Sequence, residues 1–238
     1  MILGFSSGCL YKTHGGLARE TFDIFRNIGC NAIEIMCHGI ADLPQLAEIT
    51  LKDLRGFEHI SLHAPIFKNI SEEELEKMLL QLEKVHQKIG FAYVVIHPDT
   101  VSNWEIFSRF SIPFAIENMD KRKGSCKNVA DLRKIFEQAD AKMVLDVNHC
   151  FSNDPSMKLA SEFVEAFRGR IAGIHLSGFE TLHDLLYKTQ QREILDAVFD
   201  KNIPIIIESG CLSVDDAKKE YLYIKNKLGA NNQMQNYA

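Results

Sequence analysis

The sequence predicts a single-domain (β/α)8 barrel, a TIM barrel of the α/β class, and three observations lead there. Eight short apolar runs, rich in β-branched residues, recur along the 238 residues. Their starts are spaced by about 20 to 34 residues, the length of a strand–helix–strand unit. The stretches between them carry helical spacing and helix-end signals. Nearly continuous apolar runs are what parallel strands buried on both faces require. A doubly wound sheet is the rival. Its dinucleotide-binding version would show GxGxxG after the first run, and none is present there.

Taken in order, ILGFS (2–6) is the first strand. LARETFDIFRNIG (17–29) then reads as a helix that closes on Gly29, a good C-cap. AIEIM (32–36) and HISLH (59–63) are the second and third strands. SEEELEKMLLQLEKVHQKIG (71–90) opens with Ser71 and Glu74, a capping box, and ends at Gly90. YVVIH (93–97) and PFAIE (113–117) follow, with room between them for only a short helix. NVADLRKIFEQA (128–139) starts a helix on Asn128, with Asp131 three residues on. KMVLD (142–146), IAGIH (171–175) and PIIIE (204–208) complete the eight. The barrel is expected to occupy 1–229, and the polar stretch 230–238 is expected to be a frayed tail.

Composition narrows the class. Hydrophobic residues make up 46% and charged residues 25%, ordinary for a globular protein with a sizeable core. A net charge of −5 weighs mildly against a protein that grips nucleic-acid phosphates, without excluding one, and the partner expected is a small-molecule substrate, anionic if the basic run below receives it. Six cysteines at 9, 30, 37, 126, 150 and 211 form no CxxC pair, which reads as a reduced, cytoplasmic chain. The opening MILGFSSGCLYKTHGG has no basic region or long apolar core, so no signal peptide is expected, and no run approaches the length of a membrane span. Oligomeric state is left open.

The chemistry lies at the strand ends. The third strand ends in His63, the fourth in His97 and the fifth in Glu117. The sixth ends in Asp146 with His149 just beyond, the seventh in His175 and the eighth in Glu208. A lone histidine or carboxylate there is more often a structural or helix-capping residue. Six strands in succession closing this way are not explained by capping. Barrel strand ends converge on one face, where barrel active sites form. Clustered carboxylates repel unless cations lie between them, and imidazole mixed with carboxylate suits zinc or manganese. Cys9, Cys37 and His38, after the first two strands, read as loop packing.

These pieces, HAP (63–65), HPD (97–99), IEN (116–118), DVNH (146–149), HLS (175–177) and IIIES (205–209), resemble the xylose isomerase-like barrels. The resemblance spans all eight strands and is nearest the branch of endonuclease IV, ketose 3-epimerases and hydroxypyruvate isomerases. It implies one divalent metal on Glu117, Asp146, His175 and Glu208, as in the isomerases and epimerases. By likeness to the endonuclease, His63 and His97 would hold a second metal with Glu117 bridging. His149 and His183 would serve a third. There the family's Asp-x-His becomes Thr181-x-His183, which puts the third metal in doubt.

Three functions follow from the resemblance. The first is a metal-dependent sugar or sugar phosphate isomerase or epimerase. It would move a proton beside a chelated carbonyl through an ene-diolate, with Glu117 and Glu208 as acid and base and His149 orienting a substrate oxygen. Asn118 and the basic run Lys121, Arg122 and Lys123 are candidate substrate contacts, the run suiting a phosphate or carboxylate. The alternative is a multi-zinc phosphodiesterase acting on abasic DNA, and the third is a metal-binding barrel without turnover.

Overall fold

The computed structural model describes residues 1–234. Eight parallel strands close into a barrel in sequence order: β1 (Leu3–Ser6), β2 (Ala32–Met36), β3 (His59–His63), β4 (Val94–Ile96), β5 (Phe114–Glu117), β6 (Lys142–Asp146), β7 (Ile171–Leu176) and β8 (Ile205–Ile207). β8 pairs with β1 to complete the ring. All eight expected runs are strands, and the single-domain (β/α)8 reading holds.

The helices that cover the barrel are α1 (Arg19–Ile28), α2 (Leu43–Glu48), α3 (Glu72–Ile89), α4 (Val129–Phe136), α5 (Val147–Asn153), α6 (Lys158–Phe167), α7 (Leu186–Thr189), α8 (Arg192–Asp196) and α9 (Val214–Met234). Their ends follow from local chemistry. Gly29 and Gly90 adopt φ of 100° and 76°, the left-handed conformation that closes α1 and α3 at little cost to glycine. Ser71 and Glu74 exchange side-chain and main-chain hydrogen bonds at the start of α3. Asn128 accepts from the Asp131 N–H at the start of α4. Between β4 and β5 only two 3-10 turns form, Pro98–Thr100 and Glu105–Arg109. The last helix continues to Met234, into the stretch read as a tail, and 235–238 lie outside the described residues. None of the described helices is long and apolar enough to cross a membrane.

Side chains alternate between the barrel lumen and the helical layer. On the lumen side lie Tyr93, Val95, Ala115 and Val144, a small packed cluster distinct from the larger core under the helices. Tyr93 fits there because β7 offers Gly173: a Cβ on that residue would lie 2.1 Å from the Tyr93 hydroxyl. The same alternation carries Glu117, Asp146 and His175 to the lumen's upper end. Strand pairing sets Asp146 level with His175.

Candidate metal centre

Glu117, Asp146, His175 and Glu208 each offer a donor atom, and these atoms all lie within 4.8 Å of one another. The first three are buried, and the Glu208 side chain is 9% exposed. His175 Nδ1 stands 3.1 Å from Glu117 Oε1 and 3.4 Å from Glu208 Oε2. Three carboxylates this close, out of water, cannot all stay charged without positive charge between them. Protons fill that role when no cation is bound. Burial, reinforced by the charges of Glu117 and Glu208, pushes the Asp146 carboxyl well above its ordinary range. Burial opposes a charged His175, yet Glu208, Glu34 and Glu117 together raise its imidazole well above the usual value. Burial also works against Glu117 and Glu208. The hydrogen bond with His175 and the nearby His63 and His97 imidazoles still hold Glu117 well below the usual carboxylate range, and the charge of His175 brings Glu208 to about 2.

The donor set fits a divalent cation. Asp146 Oδ2 is buried without a hydrogen-bond partner. The nearby His149 Nδ1, 3.4 Å away, already meets the Asn118 carbonyl at 2.8 Å. Mixed carboxylate and imidazole donors suit zinc or manganese.

Glu117 also faces a second group. His63 Nε2 and His97 Nε2 approach each other to 3.1 Å, and they lie 3.6 and 3.0 Å from Glu117 Oε2. Glu117 thus turns one oxygen to each cluster. His63 Nδ1 lies 3.0 Å from the Ala64 carbonyl, a partner that calls for N–H there and frees Nε2 for the lumen. Although burial opposes its charge, the facing Glu117 carboxylate raises His63 to about 9, while burial lowers His97.

The remaining expected residues separate. His149 sits in the first turn of α5, its main-chain N–H donating to Asp146 Oδ1 at 2.7 Å. Its ring centroid lies 5.6 Å from that of His183. His183 Nδ1 meets Ser177 Oγ at 3.0 Å. Neither histidine joins a donor cluster among the described residues. Asp184, which could have replaced the missing aspartate, instead accepts the main-chain N–H groups of Glu180, Thr181 and Leu182. Asn118 is fully buried; its amide accepts from the Asp146 N–H at 2.8 Å and donates to the Asp146 carbonyl at 2.9 Å. It is a brace between strand ends.

The basic run is spent locally. Lys121 Nζ lies 4.8 Å from the centroid of the Phe179 ring. Arg122 grips Asp120 through two hydrogen bonds of 2.8 and 2.9 Å, and Lys123 pairs with Asp99 at 3.1 Å. Arg122 and Lys123 line the pocket above the clusters, a cavity of about 460 Å³; Lys121 and Asn118 do not. Cys9, Tyr11, Lys12, Cys37, His38 and Ile66 also line it, so the two cysteines and His38 border the site. Glu34 is the residue that sequence reasoning missed. Its one signal was a lone carboxylate inside the apolar run AIEIM.

Solved structures share this architecture. A 3-keto-D-glucoside 4-epimerase from E. coli matches with a TM-score of 0.61 at 12% identity, over 95% of this chain and 99% of that one. A xylose isomerase domain-containing protein from Salmonella typhimurium matches with a TM-score of 0.64 at 17% identity, over 96% of each chain. A sugar phosphate isomerase/epimerase from Parabacteroides distasonis gives a TM-score of 0.58 at 13% identity, over 93% of this chain and 96% of that one. No family sequence model and no curated protein matches the chain. At these identities the likeness is one of fold: this chain shares the eight-stranded parallel barrel of these proteins.

Proposed function

We propose that the chain is a divalent-metal-dependent isomerase or epimerase acting on a sugar or a related hydroxy-carbonyl compound. The observation that carries this reading is the four-donor cluster, two of whose members, Glu117 and Glu208, line a cavity of about 460 Å³, a volume suited to a small molecule. The similar barrels named for sugar epimerisation and isomerisation support it.

Glu117, Asp146, His175 and Glu208 would hold the cation. Bound there, it would polarise a substrate carbonyl and its neighbouring hydroxyl and so acidify the C–H beside them. Glu117 and Glu208 reach the cluster from different strands, and each has a carboxylate oxygen within 3.4 Å of His175 Nδ1. They are the acid–base pair: one removes the proton from carbon and the other returns one. His149, with Nδ1 at the Asn118 carbonyl, keeps Nε2 to accept a substrate hydroxyl. Arg122 and Lys123 are already paired with carboxylates, which favours an uncharged sugar over a phosphate.

The test is metal content per chain in the wild type, Glu117→Ala and His97→Ala, with deuterium uptake by ketoses in heavy water. One metal lost with Glu117→Ala and kept with His97→Ala, together with deuterium at a carbon beside the carbonyl, is the expected result. A second reading rests on the His63, His97 and Glu117 cluster, which favours two metals and phosphoester hydrolysis. Two metals per chain, one lost in His97→Ala, with cleavage of abasic-site DNA would replace the first reading by this one.

A further inference from the structure

Glu34 is fully buried at the centre of β2, the one acid in that strand. A carboxylate is retained in such a place only when its oxygens are satisfied. Ser61, its partner in the β2–β3 register, donates to Glu34 Oε2 at 2.8 Å. From across the lumen, His175 Nε2 approaches Glu34 Oε1 at 3.1 Å and Oε2 at 3.3 Å. Both nitrogens of the His175 ring are therefore accounted for. Nε2 faces Glu34, and Nδ1 faces Glu117 and Glu208. Turning the ring over would exchange each nitrogen for a carbon and leave the donor cluster without its imidazole.

Building on the metal reading above, we propose that Glu34 is a positioning residue of the centre. Its carboxylate fixes the orientation and tautomer of His175 so that the Nδ1 lone pair is presented to the cation. Ser61 anchors the carboxylate in turn. Hydrogen-bonding a ligand histidine to a carboxylate also strengthens it as a donor, and removing such a partner typically weakens metal binding about 10- to 100-fold.

Glu34→Gln is the direct test, because the amide can still accept from His175 and donate to Ser61. Zinc affinity is measured by competition with a chromophoric chelator. The His175 Nε2–H resonance is followed in zinc-loaded protein labelled with ¹⁵N-histidine. Thermal unfolding of the metal-free chains reports any general damage. The expected result is metal-free stability near the wild type, zinc affinity reduced about 10-fold or more, and an Nε2–H resonance that moves upfield. Ser61→Ala, which keeps the carboxylate but frees it, is expected to give a smaller loss of affinity and a smaller shift in the same direction. It supplies the answer should Glu34→Gln not fold. Unchanged affinity and resonance in the folded variant overturn the role of Glu34 while leaving the metal centre standing. A wild type that binds no zinc, manganese or cobalt overturns both.

Discussion

Asp146 holds its proton far more tightly than Glu117 and Glu208, although the three belong to one cluster of donors within 4.8 Å. The difference comes from neighbours. Glu117 and Glu208 face the His175 imidazole, whereas Asp146 gives one oxygen to the helix start at His149 and leaves the other bare. A cation held as proposed would displace protons from Asp146 and His175, whose values are raised, and none from Glu117 or Glu208, whose values are lowered. Metal affinity is therefore expected to rise with pH until both groups release their protons, and binding is expected to acidify an unbuffered solution. Calorimetric titration at several pH values checks this, and an affinity that falls as pH rises would contradict the assignment. His63, His97, Glu117, Asp146, His175 and Glu208 were legible because each lies at the end of a strand or within one residue of it. Glu34 was not, because its meaning depends on His175, 141 positions away in the chain.

The elements with strong local signals form where the sequence places them. α1, α3 and α4 carry their own caps, and the eight apolar runs carry their own strand character. The short helices after β7 are different. The start of α7 is held by Glu220 of α9, which accepts the main-chain N–H groups of Leu186 and Tyr187 at 2.7 and 2.9 Å. That cap lies more than thirty residues downstream, so no local pattern announces it. Asn148 completes the hold by donating to the Leu182 carbonyl at 2.6 Å, next to His183. Glu220→Ala strips partners from buried donors and is expected to cost about 3 kcal/mol, read from urea unfolding. It should also raise the apparent KM by loosening the loop that carries His183. A stability loss below about 0.5 kcal/mol, the range of ordinary surface substitutions, would show that the loop holds itself.

In the molecule as a whole, the barrel is a cup with a sealed base. Tyr93 occupies the volume that Gly173 vacates, with Val95, Ala115 and Val144 packed beside it, and no bulk solvent reaches the donors from below. Overall topology was readable because a repeat of strand and helix leaves few ways to close a sheet of eight. The cavity's lining, which brings Tyr11, Lys12 and Ile66 together with Arg122 and Lys123, was not, since it depends on which loop side chains meet over the mouth. With the base sealed, the proposed sugar, water and cation would all share one doorway. A sugar seated over the centre would then be a stopper: metal could leave only after it. Stripping of the metal by a chelator is expected to slow as a tight-binding polyol inhibitor saturates the chain, in proportion to the fraction of molecules left open, and a stripping rate indifferent to the inhibitor would reveal a back door.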